Sequence, residues 1–169
     1  NTFVNINPIK GLNIRAAQAV EAFDYRSSGV ALPTGPFEGA GTARESFQRY
    51  YSFTYTNTAE YKFDLNALHN FTFLVGQESI ITKNESFGVS VDGLTDERLM
   101  LMSAAASAKL PSHSKTETVF NSYFGTFSYN FDEKYCFDAS FRRDGSSLFG
   151  LNNQWGNFWS VGAMWDVKK

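Results

Sequence analysis

The sequence predicts an all-β protein of antiparallel, up-and-down strands, and three observations carry that expectation. Apolar and polar side chains alternate with period two over long stretches. Aromatic residues make up 17% of the 169-residue chain against only 19% charged, which suits a wall with one greasy face and argues against disorder. Turn-forming clusters recur at alternately short and long spacing.

Taken in order, Thr2–Ile6 reads as a short strand that begins without a lead-in. Leu12, Ile14, Ala16, Val20 and Ala22 then share one parity, opposite Asn13, Arg15, Ala17, Ala19, Glu21 and Phe23. Tyr51, Phe53, Tyr55, Ala59, Tyr61 and Phe63 oppose Ser52, Thr54, Thr56, Thr58, Glu60 and Lys62, and Phe71, Phe73 and Val75 oppose Asn70, Thr72, Leu74 and Gly76. The strongest alternation lies near the C-terminus. Tyr123, Gly125, Phe127, Tyr129 and Phe131 share a parity, as do Tyr135, Phe137, Ala139 and Phe141, and then Trp159, Val161, Ala163, Trp165 and Val167. Successive strand side chains point to opposite faces, so each segment has one apolar and one mostly polar face. Gln18 and Asn57 break the pattern, standing on the apolar parity.

Asn7–Gly11, Asp64–Leu68 and Asp132–Lys134 read as short turns, each supplied with Pro, Gly, Asn or Asp. Long connectors are expected over residues 26–46, 86–118 and 144–157, with a short helix around Glu97–Lys109 on its good helix formers. About seven strands of roughly 9–15 residues with this loop alternation fit part of a transmembrane β-barrel wall, because a tilted strand of ~9–11 residues crosses the hydrocarbon. Phe131, Tyr135 and Trp165 fall beside short-turn ends and Tyr51, Phe158 and Trp159 beside long-loop ends, where interfacial girdles form. A soluble β-sandwich also alternates, and pattern alone leaves both open.

Other classes are excluded. One cysteine, Cys136, gives no internal disulfide, and with His69 and His113 it makes no Cys/His zinc site. A net charge of −2 with dispersed basic residues gives no footprint for nucleic acid. No run approaches the ~18 apolar residues of a spanning helix, and Asn1-Thr2-Phe3-Val4-Asn5 does not read as a signal peptide, as expected of an unexported protein or of a mature or internal piece. No Ser/His/Asp arrangement appears, so no catalytic residue, enzyme activity or cofactor is expected. Asp144-Gly145-Ser146-Ser147 lacks the alternating acidic ligands of a calcium loop, so no metal is expected either.

The run Asn121-Ser122-Tyr123-Phe124-Gly125, then Tyr129-Asn130-Phe131, then Ala139-Ser140-Phe141-Arg142-Arg143-Asp144-Gly145-Ser146-Ser147 closely resembles the SusC/RagA family. Phe149-Gly150, Asn153, Trp155-Gly156 and Ser160-Val161-Gly162 continue the likeness. Lys10-Gly11-Leu12, Tyr50-Tyr51-Ser52, Thr56-Asn57-Thr58 and Gly76-Gln77-Glu78 extend it upstream. At Thr126 and in Ser147-Leu148-Phe149 this chain is neutral or apolar where the family most often has a basic residue.

The resemblance implies a TonB-dependent transporter of the cell outer membrane in Bacteroidetes, with a plugged barrel of ~22 strands. Residues 1–169 would then be a partial barrel, with the plug domain and remaining strands absent. It also implies import of a bulky nutrient, a glycan or oligosaccharide first and a peptide second. The implied partners are a SusD-like surface lipoprotein, TonB, and outer-membrane lipid.

On that reading Arg15, Glu21, Glu60, Lys62, Asp138 and Arg142 face the lumen, where a plug contact outweighs a ligand contact. Asp144 anchors a loop by hydrogen bonding. Trp155, Phe149 and Phe37 are the candidates for stacking on sugar, against the plainer role of loop packing. Asn57 and Gln18 are expected near an interface or paired with a neighbour, since unpaired polar groups in lipid are costly. Two other functions stay open, a free-standing β-sandwich binding carbohydrate and a small closed membrane barrel acting in adhesion. A barrel section leaves raw edges at Thr2–Ile6 and Trp159–Val167, which template self-association.

Overall fold

The computed structural model describes residues 1–31, 41–66, 68–96, 98–99, 101–150 and 154–167. Its strands are β1 (Thr2–Ile6), β2 (Leu12–Ala31), β3 (Gly41–Leu65), β4 (His69–Leu94), β5 (Ser107–Ala108), β6 (Ser112–Phe131), β7 (Tyr135–Ser146) and β8 (Trp155–Trp165). Hydrogen bonding links them in the order β1-β2-β3-β4-β6-β7-β8, with β5 on β4. Seven strands therefore stand in up-and-down order as the alternation predicts, with β1 shorter (5 residues) and β2, β3, β4 and β6 longer (20–26 residues) than expected, and one two-residue strand is added.

This topology decides between the alternatives. A sandwich would bury one face of its sheet under a second sheet. Here the described strands form one sheet, and Trp159, Val161 and Trp165 remain 60–77% exposed. A small closed barrel would pair its first strand with its last. Among the described residues β1 and β8 stand at opposite ends of the order.

The short turns fall where expected. Asp132 and Glu133 both have φ of 52°, and the Lys134 N–H donates to the Phe131 carbonyl at 2.9 Å. Two consecutive positive φ values give a turn whose twist matches the flanking strands. Gly11, at φ 84°, leaves no room for a Cβ beside the Lys62 carbonyl, while the Lys62 N–H donates to the Gly11 carbonyl at 2.8 Å.

The long connectors are corrected. β2 runs to Ala31, β3 begins at Gly41, β4 runs to Leu94, β6 begins at Ser112 and β7 runs through Ser146. Backbone pairing continues through these charged stretches because cross-strand ion pairs replace apolar pairs there. The helix expected around Glu97–Lys109 is also corrected. A single 3-10 turn, Met102–Ala104, and β5 occupy the described part of that stretch. So short a segment cannot repay helix nucleation, and its small side chains are used for packing instead.

Contacts divide the chain into two units. The first comprises Asn1–Val20, Ser52–Thr82 and Thr118–Lys169. In it β6, β7 and β8 are in strict register, Phe127 opposite Ala139 and Ala139 opposite Val161, so one parity forms one face across all three. The second unit comprises Glu21–Tyr51 and Lys83–Glu117. Its small core is Ala43, Val91 and Leu94, with Met102, Ala104 and Ala105 packed against it.

Candidate functional site on the two faces of the wall

In the first unit the apolar parity builds a continuous aromatic surface. Phe63 stacks on Phe71 at 4.8 Å, Phe71 on Tyr129 at 4.8 Å, and Phe73 meets Phe127 at 4.8 Å. At the short-turn end His69, Phe131, Tyr135 and Trp165 follow one another, with Phe131–Tyr135 at 6.2 Å and Tyr135–Trp165 at 6.1 Å. His69 Nδ1 and the Tyr129 hydroxyl share a 2.7 Å hydrogen bond. Aromatic rings in a row at strand ends have the form of an interfacial girdle. Asn57 lies on this same parity and donates from Nδ2 to Gln77 Oε1 at 3.2 Å, so it is paired with a neighbour as expected. Gln18 stands opposite Thr2 in the β1–β2 ladder.

The opposite face holds a polar network centred on Arg142. Its Nε donates to Asp144 Oδ1 at 2.7 Å and its Nη2 to Ser122 Oγ at 3.0 Å, and Glu78 Oε1 lies 3.7 Å from Nη2. Thr56 Oγ1 donates to Glu78 Oε2 at 3.3 Å. The guanidinium also stands 5.7 Å from the Phe124 ring centroid. The outer end of the Phe124 ring in turn lies over Gly76, where any Cβ would collide with it. Ser122 is fully buried beneath this arrangement.

Among the expected lumen-facing residues, Arg15 covers the Phe3 ring at 4.5 Å, and Lys62 pairs with Glu60 at 2.8 Å. Asp138 stands opposite Ser128 and Gly162, and Glu21 is exposed in β2. The structure brings Arg142 and Asp144 together and adds Glu78, Ser122 and Thr56, which the sequence reading placed in runs shared with the family but gave no site role. Parity could have found Glu78, which continues the Leu74–Gly76 row one step further.

Asp144 lies inside β7, not in a loop, and bonds Arg142. The loop after β7 is held by serines: Ser147 Oγ accepts from the Val119 N–H at 2.9 Å, and the Ser147 N–H donates to the Val119 carbonyl at 2.9 Å. Trp155, expected on a loop, opens β8 opposite Gly145. It lies flat over that glycine, stacks on Tyr123 at 6.0 Å and carries Arg143 at 5.1 Å from its centroid. Phe149 is 62% exposed in the β7–β8 loop, and Phe37 lies outside the described residues.

In the second unit, Phe23 stacks on Tyr50 at 4.7 Å on one face. The other face carries a ladder of charge. Arg49 grips Asp24 through Nε and Nη2 at 2.9 and 3.0 Å, Lys83 pairs with Glu117 at 3.1 Å, and Glu85 accepts from both His113 at 2.9 Å and Lys115 at 3.0 Å. These groups lie beyond the ~9–11 residues of a membrane crossing counted from Leu12, Leu65, His69 and Phe131. The hydrogen bond from Arg49 holds the Asp24 carboxyl below its usual range, and Arg49 is raised correspondingly. Hydrogen bonds from His113 and then Lys115 lower Glu85. No grouping of His, Cys, Asp and Glu suited to a metal occurs among the described residues.

A single-layer wall with an aromatic face, a girdle and a polar opposite face defines part of an outer-membrane β-barrel. No family model matches the chain. It is 32% identical over 146 residues to TonB-dependent receptor P3 of Formosa agariphila, covering 83% of this chain and 14% of that protein. It is 31% identical over 126 residues to TonB-dependent receptor SusC of Bacteroides thetaiotaomicron, covering 72% of this chain and 12% of that protein. A solved structure of the RagAB peptide transporter superposes with a TM-score of 0.91 at 38% identity, over 98% of this chain and 19% of the solved one. The chain belongs to the SusC/RagA-type TonB-dependent receptors, a family of the outer membrane, and corresponds to part of their barrel. It spans about one seventh of the length of the curated relatives it matches.

Proposed function

We propose that this chain is a wall section of a TonB-dependent transporter that imports an oligomeric nutrient, a glycan or a peptide, together with a SusD-like lipoprotein and driven by TonB. The observation that carries the reading is the likeness of almost the whole sheet to one solved peptide transporter, at 0.91 in TM-score. The aromatic parity faces lipid and the Arg142 parity faces the lumen. Closed strand pairing is needed because lipid cannot satisfy backbone N–H and C=O groups. The Arg142–Asp144–Glu78 network meets the plug, and Phe149 is the candidate for substrate contact. Trp155, whose ring is taken up by Gly145, Tyr123 and Arg143, serves as an interfacial anchor.

The test uses the full-length receptor in its own cells. Deleting it should abolish growth on oligosaccharides or on peptides as sole nutrient, and loss of TonB should do the same. Uptake of both nutrients unchanged in the deletion strain would overturn the reading. Facing is tested separately, with spin labels at Val161 and Ser160 in the full-length receptor. The label at Val161 should be relaxed by oxygen and the label at Ser160 should not.

A further inference from the structure

The charge ladder of the second unit is not used by the transport reading, and it surrounds a cleft of about 460 Å³ whose charged and aromatic lining is Arg49, Tyr51, Lys83, Glu85, Lys115 and Glu117, with Asn84 and Thr116 between them. All six stand at odd positions of β3, β4 and β6, the parity that carries Tyr55, Tyr61, Phe71 and Tyr129 along the same strands. Exposed ion pairs of this kind contribute little to folding. Their side chains remain accessible, with Lys83 53% and Lys115 64% exposed.

We propose that this cleft holds the phosphorylated saccharide headgroup of an outer-leaflet lipid. The inference rests on the reading that this parity faces lipid. Beyond the hydrocarbon, that face meets sugars bearing phosphates and the divalent cations that bridge them. The cleft offers complementary groups of both signs. Each ammonium has three donors and Lys83 and Lys115 spend one on a carboxylate in the ladder, so the others can reach phosphate oxygens. Glu85 and Glu117 keep lone pairs able to share a divalent ion with the same phosphate. Tyr51 supplies an amphipathic ring at the apolar edge, as interfacial aromatics do. Alternating signs fit a ligand that arrives with its own counter-ions.

The test uses the full-length receptor, folded as judged by heat-dependent gel migration, in nanodiscs containing bisphosphorylated lipid A or the same lipid without phosphates. Native mass spectrometry counts the lipid retained. Wild type should retain the phosphorylated lipid about tenfold better, as charge-assisted hydrogen bonds to phosphate imply. The Lys83→Gln/Lys115→Gln variant should lose that preference, and Lys83→Arg/Lys115→Arg should keep it. EDTA should lower retention by wild type, and the Glu85→Gln/Glu117→Gln variant should be insensitive to EDTA.

Equal retention of the two lipids by wild type, or an unchanged preference in the glutamine variant, would overturn the proposal. So would full competition by inorganic phosphate, which would mark a site for the free anion. A glutamine variant that only converts two-copy assemblies to single copies, with lipid retention unchanged, would mark a protein interface instead. A Val161 label shielded from oxygen would sink the lipid-facing reading itself, separately from the site.

Discussion

Phe124 over Gly76 and Trp155 over Gly145 are the same device used on opposite faces of the sheet. A glycine in a strand interior is a weak point, since it exposes backbone and packs nothing. An aromatic ring laid across it from the neighbouring strand recovers that lost contact area. At Gly76 the ring also supports the Arg142 guanidinium, so the glycine positions a charge with which it makes no polar contact. Replacing Gly76 with Val should displace Phe124 and loosen the Arg142 network. The expected cost is about 1–3 kcal/mol, typical of overpacking, read as a lower urea midpoint for the full-length receptor. Phe124→Ala should cost less in the Gly76→Val background than in wild type, because the clash is then gone.

Among the elements, the strands divide by what holds their side chains together. Near the short turns, β3, β4 and β6 are joined by ring stacking, and further along the second unit joins them by ion pairs. The alternation of apolar and polar residues was legible only in the first regime. A strand crossing hydrocarbon must keep one face apolar, whereas a strand outside the hydrocarbon has no such constraint. That is why residues 86–118 read as a connector although β4 and β6 extend deep into it. The short turns were legible because φ and hydrogen-bond demands are local. The Arg142 network was only half legible, since Ser122 and Asp144 are brought together by β6–β7 register and Ser122 is otherwise an ordinary polar-face residue. The ladder also makes a pH prediction. Asp24 and Glu85 have lowered folded values, so their contribution is present above the ordinary carboxylate values of 3.8 and 4.5 and is lost as pH falls through the lowered ones. Hydrogen exchange at 83–87 and 113–117 in the full-length receptor, corrected for intrinsic rate, should therefore quicken in strong acid. The Glu85→Gln variant should show less of that change.

For the whole molecule, the decisive fact is how little is buried. Among the described residues Ala43, Val91 and Leu94 are the buried apolar side chains, while Phe3, Val4, Ile6, Trp159 and Val161 are more than half exposed. A water-soluble domain of this length would bury far more apolar surface. On the proposed reading, stability comes from surroundings: lipid on one face, plug on the other, and neighbouring strands beyond β1 and β8. Produced alone in detergent, the chain is expected to self-associate through those two strands, seen by light scattering as a mass above 18.9 kDa. Introducing Lys at Val4 and Val161 should reduce that association. A monomer with wild-type edges would count against the open-wall account.

Trp155 and Gly145 are bound to each other's fate in a way that genetics can read. A larger side chain at 145 should be harmful by itself and tolerated once the tryptophan is trimmed to leucine, so second-site suppressors of Gly145→Ala should cluster at position 155. Lineages drifting at one position would then be expected to carry a matching change at the other, leaving the pair to travel as a single heritable unit across the β7–β8 seam.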